Sequence, residues 1–241
     1  MNVPRDNLGL SEAPVRPAGA GPAVRPRDAA SLILLDRSGA EIRVLMGRRH
    51  GGHDFMPDKW VFPGGRLDRS DFRAPSASEL SAEVAARLAK TAPAARARAI
   101  ALAAVRETFE EAGLLLARPA PARRSKRPWG GTWGAFLGQG VHADLSALSF
   151  IARAITPPFS PKRFDARFFM ADAARLVSLD RQGDCGELDE IAWFTLKEAL
   201  GLDLPSVTRF VLTEIPHRLA DPARPVPSLS FRWAKQRIEK L

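Results

Sequence analysis

Three carboxylates and an arginine crowd into Arg106-Glu107-Thr108-Phe109-Glu110-Glu111-Ala112-Gly113-Leu114. An α-helix advances ~100° per residue, so with Glu107 at zero, Glu110 falls at about −60° and Glu111 at about +40°. Leu102, Val105, Phe109 and Ala112 fall on the opposite side, at about 140° to 220°. One face can therefore dock on a sheet while the other gathers three acids. Like charges at this spacing repel and cost stability unless a cation compensates them. A hard divalent cation such as Mg²⁺, which prefers carboxylate oxygen and water, would do so. The competing reading is a solvated acidic face paired with surface arginines.

The elements that must position these acids are also readable. Pro93 stands where the helix can start and Gly113 where it should stop. Upstream, Trp60-Val61-Phe62 reads as a brief strand stopped by Pro63-Gly64-Gly65. Ser31–Leu35 and Glu41–Met46, joined by Ser38-Gly39, predict a hairpin. Ser76-Ala77-Ser78-Glu79 has capping-box spacing and predicts a helix running to about Lys90. Leu114–Leu116, Phe150–Ile155, Phe164–Met170 and Ile191–Phe194 read as strands. Leu196–Leu200 and Val207–Leu219 read as helices, and Arg118–Gly131 as a long loop. Such an order is a mixed α/β (α+β) arrangement in one domain. Residues 1–27, with five prolines, read as a flexible tail, and 221–241 as a basic C-terminal segment.

Composition bounds the rest. The 241 residues suit one large domain, with 45% apolar and 26% charged residues. No apolar run is long enough to span a bilayer, and the N-terminus lacks a secretory pattern, so a soluble cytoplasmic protein without a membrane partner is expected. Cys185, the single cysteine, excludes an internal disulfide and reads as inert. Thirty-six Lys and Arg against 27 Asp and Glu give a net charge of +9, which favours anionic partners. Arg118, Arg123, Arg124, Lys126 and Arg127 fall within ten residues free of acid. No nucleic-acid-binding module is recognisable, so no specific nucleic-acid partner is expected.

Arg106–Leu114 resembles the second half of the Nudix box, G-x5-E-x7-R-E-U-x-E-E-x-G-U, with U an aliphatic residue. Gly65 through Asp71 is similar to its first half. Asp71 stands where the box has Glu, Thr108 where it has an aliphatic residue, and about 27 extra residues interrupt it. The insertion, about 72–97, resembles the acyl-coenzyme-A diphosphatase-like branch. So do Met46–His50, Phe55–Pro57 and Phe62–Gly65, and later Thr156–Pro158 with Arg163–Phe169.

The resemblance implies a Nudix fold, an α/β/α sandwich around a mixed sheet over 28–220, and hydrolysis of a nucleoside diphosphate linked to another moiety. It implies Mg²⁺ or Mn²⁺ held by Glu107, Glu110, Glu111 and a Gly65 carbonyl. Glu107 or a neighbouring carboxylate such as Glu110 would orient or deprotonate water, and Arg106 would hold a glutamate or Asp71 in position. For Asp71 a surface-loop reading stands beside an orienting one. Arg48, Arg49, Arg123 and Arg124 are candidate substrate-phosphate ligands. The branch implies CoA or acyl-CoA as the small-molecule substrate, giving 3′,5′-ADP and phosphopantetheine. ADP-ribose, NADH, a dNTP, or a non-catalytic binding module are the alternatives. Nudix folds often dimerise, and nothing in the sequence specifies an interface. Glu187, Asp189 and Glu190 are candidates for an auxiliary acid, with solvated turn residues the default. His50 and His53 could touch phosphate, and Trp129 and Trp133 could stack on a base or pack a lid.

Overall fold

The computed structural model describes residues 24–52, 57–120, 129–158, 160–180, 188–232 and 235–241. Arg123, Arg124, Lys126, Arg127, His53, Cys185, Glu187 and most of the proline-rich N-terminal stretch lie outside them.

Strand β1 (Arg27–Asp36) is the axis of the fold. It pairs antiparallel with β2 (Arg43–Arg49) at Leu35↔Val44, as the predicted hairpin requires. It pairs antiparallel with β4 (Gly64–Arg66) at Ala30↔Gly65, and parallel with β9 (Phe164–Asp172) from Arg27↔Phe164 to Leu35↔Asp172. The short β3 (Trp60–Val61) pairs with β2. Strands β8 (Ser149–Ile155), β10 (Leu188–Thr195), β11 (Pro227–Arg232) and β12 (Lys235–Lys240) complete the sheet. Among the described residues its strand order is β10-β2-β1-β9-β8-β11-β12, with β3 and β4 alongside. The basic C-terminal segment thus continues the sheet, β11 lying parallel to β8.

A smaller sheet joins β5 (Ser76–Ser78), β7 (Val141–Asp144) and β6 (Ala117–Pro119). The helices are α1 (Ala82–Ala89), α2 (Ala94–Ala112), α3 (Gly131–Gly138), α4 (Leu196–Gly201) and α5 (Ser206–Ala220). Side chains alternate across each strand, so β1 feeds two cores. Leu32 and Leu34 pack toward Ile100, Leu102 and Val105 of α2, while Ile33 and Leu35 pack toward Phe210, Val211 and Ile215 of α5. Helices cover both faces of a mixed sheet, the expected α/β/α sandwich.

Three local expectations differ. The Ser76–Glu79 spacing caps no helix: Ser76 lies in β5, and Glu79 accepts from Ser76 Oγ at 2.8 Å and Arg98 Nε at 2.9 Å, which ties the insertion to α2. The cap of α1 is Ser81, whose side chain accepts from Val84 N at 3.2 Å. Leu114–Leu116 are core residues with one isolated bridge, Leu116↔Leu176, and regular pairing starts at Ala117. The stretch read as loop up to Gly131 leads into a helix, α3, held by Trp133 and Phe136 rather than by helix propensity.

Candidate active site

Helix α2 ends where Gly113 takes φ 68°, a left-handed conformation that glycine adopts without strain. Its last turns lie against β4, and three contacts bind the two. Gly64 N donates to Glu111 Oε2 at 2.8 Å, and Arg66 O accepts from Arg106 Nη2 at 2.9 Å. Between them Gly65 sits so close that a Cβ there would come within 2.5 Å of the Glu107 carboxylate. The Gly-Gly turn is therefore required by a close approach of backbone to carboxylate.

Arg106 organises the acids. The residue is 7% exposed, and its Nε and Nη2 donate to the two oxygens of Asp71 at 2.8 and 3.1 Å. Asp71 lies in a 3-10 turn, Ser70–Phe72, and is fully buried, which removes the surface-loop reading. Trp133 Nε1 also donates to Asp71 Oδ1 at 2.8 Å, and Asp68 N to Oδ2 at 2.8 Å. The remaining Arg106 nitrogen, Nη1, lies 2.9 Å from Glu107 Oε1 and 3.1 Å from Glu110 Oε2. Burial works against the guanidinium charge, but the bonds to Asp71 and the adjacent Glu107 outweigh it and hold Arg106 above its ordinary pKa. Thr132 Oγ1 donates to Glu110 Oε2 at 2.9 Å, and Glu111 is 3% exposed.

Glu107, Glu110 and Glu111 line a cleft of about 1780 Å³ together with Gly64, Gly65 and Arg49. Arg48 points elsewhere, 3.7 Å from Glu190, because one step along β2 turns a side chain to the other face. Asp189 stands 3.9 Å from His50, and neither Asp189, Glu190 nor His50 is part of the cleft wall. Trp133 is 1% exposed and cannot stack on a ligand, whereas Trp129 packs partly buried against the core. Thr132 escapes the sequence reading of this site and Trp133 enters it only as a stacking or lid residue, since only the position of α3 brings them to Glu110 and Asp71.

Among the described residues no three His, Cys, Asp or Glu side chains form a metal-holding cluster; Arg106 stands between Glu107 and Glu110 instead. The donors nevertheless suit a hard divalent cation, being carboxylate oxygens on one helix face at a cleft wall. Arg106 can also release its Nη1 contacts without losing Asp71, which it grips with Nε and Nη2.

No protein-family model matches the sequence, and no curated protein matches it. Solved structures do. A NUDIX hydrolase from Alicyclobacillus acidocaldarius superposes with a TM-score of 0.60 at 28% identity, covering 82% of this chain and 96% of that one. The NUDIX domain of Shewanella oneidensis NrtR, solved with ADP ribose, gives 0.48 at 13% identity, covering 84% and 95%. A C. elegans Ap4A hydrolase binary complex gives 0.42 at 16%, covering 80% and 98%. Fold and glutamate helix together define an enzyme of the Nudix hydrolase superfamily, acting on acid anhydrides of phosphorus. No described helix is long and apolar enough to cross a membrane.

Proposed function

We propose that this chain hydrolyses CoA or acyl-CoA to 3′,5′-ADP and (acyl-)phosphopantetheine, with Mg²⁺ or Mn²⁺ held by Glu107, Glu110 and Glu111. The observation that carries the reading is the presence of all three carboxylates on the cleft wall, against the Gly64–Gly65 backbone. The substrate class is supported by the two segments that resemble the CoA-type branch. Both border the same cleft, the first through Arg49, Phe62 and Gly64, the second through Thr156, Phe164 and Phe168.

In the reaction, water oxygen bonds to one phosphorus of the anhydride. The bridging oxygen leaves with the other phosphate, and one proton is released. A bound divalent cation supplies neutralisation of the two phosphates and a more acidic water. The chain's own part is positional. Glu107, held between Gly65 and Arg106, is the carboxylate placed to orient the water or accept its proton. Glu111 ties the helix to the turn through Gly64 N, and Arg106 fixes Glu107 and Glu110 in one arrangement. Arg49 is one of the positive groups on the wall, available to substrate phosphate.

The test is hydrolysis of CoA, acetyl-CoA, dephospho-CoA, ADP-ribose, NADH and dNTPs with Mg²⁺ and with Mn²⁺, read by separating the phosphate-ester products. Turnover of CoA compounds should fall by roughly 10²–10⁴ in Glu107→Gln, the range for loss of a positioned base. Preference for another diphosphate discards CoA as the substrate. Equal rates for wild type and variant discard the assignment of the glutamates.

A further inference from the structure

Helix α5 packs on the face of β1 opposite to α2, yet its first turn reaches the same cleft: Pro205, Ser206, Val207 and Thr208 line it together with the glutamates. Thr208 begins the stripe that α5 lays on the sheet, which Val211, Leu212 and Ile215 continue at i+3, i+4 and i+7. Valine would pack there as well, whereas a buried hydroxyl needs a partner. Thr208 is 3% exposed, and among the described residues its Oγ1 has no partner. That oxygen keeps some access to solvent, and the space Thr208 borders is the cleft. The other six threonines of the chain are all satisfied. Thr91, Thr108 and Thr213 donate to carbonyls three or four residues back, Thr132 donates to Glu110, Thr156 accepts from Phe164 N, and Thr195 caps α4.

The backbone of the same turn is unpaired too. The first amides of a helix have no carbonyl one turn back to bond. Pro205 at the N-cap offers no side chain to receive them, and Arg209 N is the first amide of the helix to bond, to Pro205 O at 3.1 Å. Among the described residues the amides of Ser206, Val207 and Thr208 have no partner. A helical side chain leans toward the N-terminus, which carries the Thr208 hydroxyl toward the end where these amides emerge. The donors belong to one turn of one helix, so they point the same way. No acid stands in that turn, and Asp203, just before it in the chain, is paired with Lys59 at 2.6 Å. The positive end of the helix dipole is therefore unopposed.

We propose that the first turn of α5 is an oxyanion site for a phosphoryl group, bound by the amides of Ser206, Val207 and Thr208 and by the Thr208 hydroxyl. Helix-terminal amides and a hydroxyl hold such a group by direct hydrogen bonds and need no metal. The glutamates belong to α2 and this turn to α5, on the two faces of β1, so the site is separate from the carboxylates. A threonine with a purely structural role would be satisfied by its own helix, as Thr108 and Thr213 are. The hydrolase reading bears only on where the phosphoryl group comes from, a bound substrate or free phosphate.

The experiment titrates inorganic phosphate into the ¹⁵N-labelled full chain without metal and follows the backbone amide resonances. The expected result is saturable shifts at Ser206, Val207 and Thr208. The affinity should fall roughly tenfold in Thr208→Val, as for the loss of one hydrogen bond to a charged group. Ser206→Pro, which removes one amide at the first helical position, should lower it too. Pro205 already has the extended backbone required before a proline, φ −57° and ψ 146°, and valine keeps the shape of threonine, so both variants should melt as wild type does. Phosphate that leaves these three amides unmoved overturns the proposal, as does an affinity at this turn equal in wild type and both variants. Kinetics with metal separate the sources. A KM for CoA or ADP-ribose that rises in Thr208→Val puts the group on the substrate, and an unchanged KM with weaker inhibition by phosphate makes it free phosphate. Shifts at the turn with no hydrolysis of any diphosphate would overturn the hydrolase reading and leave the site standing.

Discussion

Among the described residues Asp71 and Asp144 are the two least exposed carboxylates, at 0% and 1%, and both are gripped by arginine. Asp71 is held by Arg106, Trp133 and the amide of Asp68. Asp144, 1% exposed, is held by Arg118 and Arg175 and by the hydroxyls of Ser78 and Ser146. The interactions are of the same kind, yet their partners lead to different places. Arg106 reaches past Asp71 to Glu107 and Glu110 on the cleft wall. Arg118 and Arg175 are each nearly half exposed and end in solvent, and Asp144 serves to tie β5 of the insertion to β7. What a buried ion pair does is set by what its outer partner touches next.

The largest effect should come from cutting the first centre. Arg106→Ala leaves Asp71 buried with an uncompensated charge, which costs about 3–5 kcal/mol in denaturant melts. Activity should vanish with it, because Glu107 and Glu110 lose their common anchor. Replacing Asp71 and Arg106 together by Leu and Met should recover much of the stability and none of the activity. If the double replacement is active, the clamp is structural only and the contrast with Asp144 collapses.

The second centre should fail more gently and only in stability. Asp144→Asn leaves Arg118 and Arg175 free to hydrate, so the loss should be about 1–3 kcal/mol with kcat unchanged. It also has a pH signature. Burial alone would raise the Asp144 pKa, but four bonds, from Ser78, Ser146, Arg118 and Arg175, more than offset this and hold it well below the ordinary value. A carboxylate so depressed contributes stability that is complete above its unfolded pKa of about 3.9 and is lost as pH falls below that. The gap in Tm between wild type and Asp144→Asn should therefore be full at neutral pH and narrow below about pH 4. A gap independent of pH would show that packing, not charge, is what the substitution removes.

The legibility of the two ends of the site differs for a physical reason. Glu107, Glu110 and Glu111 share a face through helical period alone, and Gly113 ends the helix within the same few residues, so local spacing suffices. Thr108 fits where the box has an aliphatic residue because its hydroxyl is satisfied locally, by Ala104 O at 2.8 Å. Its branched shape then packs in the buried core. The Asp71 clamp crosses 35 positions and its Trp133 contact 62, so neither follows from local spacing. The Trp133 contact depends on α3, whose N-cap Gly130 and first residue Gly131 read as loop until Trp133 and Phe136 find the core. The Ser76–Glu79 spacing misled because Arg98, from another helix, competes for the glutamate.

The finest test compares one hydroxyl at each centre. Thr132 Oγ1 donates to Glu110 Oε2 at 2.9 Å, and Ser146 Oγ donates to Asp144 Oδ1 at 2.7 Å. Thr132→Val deletes one such bond, and Ser146→Ala deletes one together with the bonds Ser146 Oγ accepts from Arg118 and Arg175, each bond being worth about 0.5–1.5 kcal/mol or less where water can replace the partner. Glu110 is the more exposed acceptor, so Thr132→Val should be the milder of the two in melts. In kinetics the order should reverse. Loss of the Thr132 bond frees Glu110 to leave the position it shares with Arg106, and kcat should fall several-fold while the Ser146 variant turns over as wild type does. A titration of Mn²⁺ followed by its EPR signal provides a readout separate from turnover, and weaker binding is expected for Thr132→Val alone. If both variants lose activity alike, stability rather than position governs the site, and the distinction between the two buried carboxylates has no functional content.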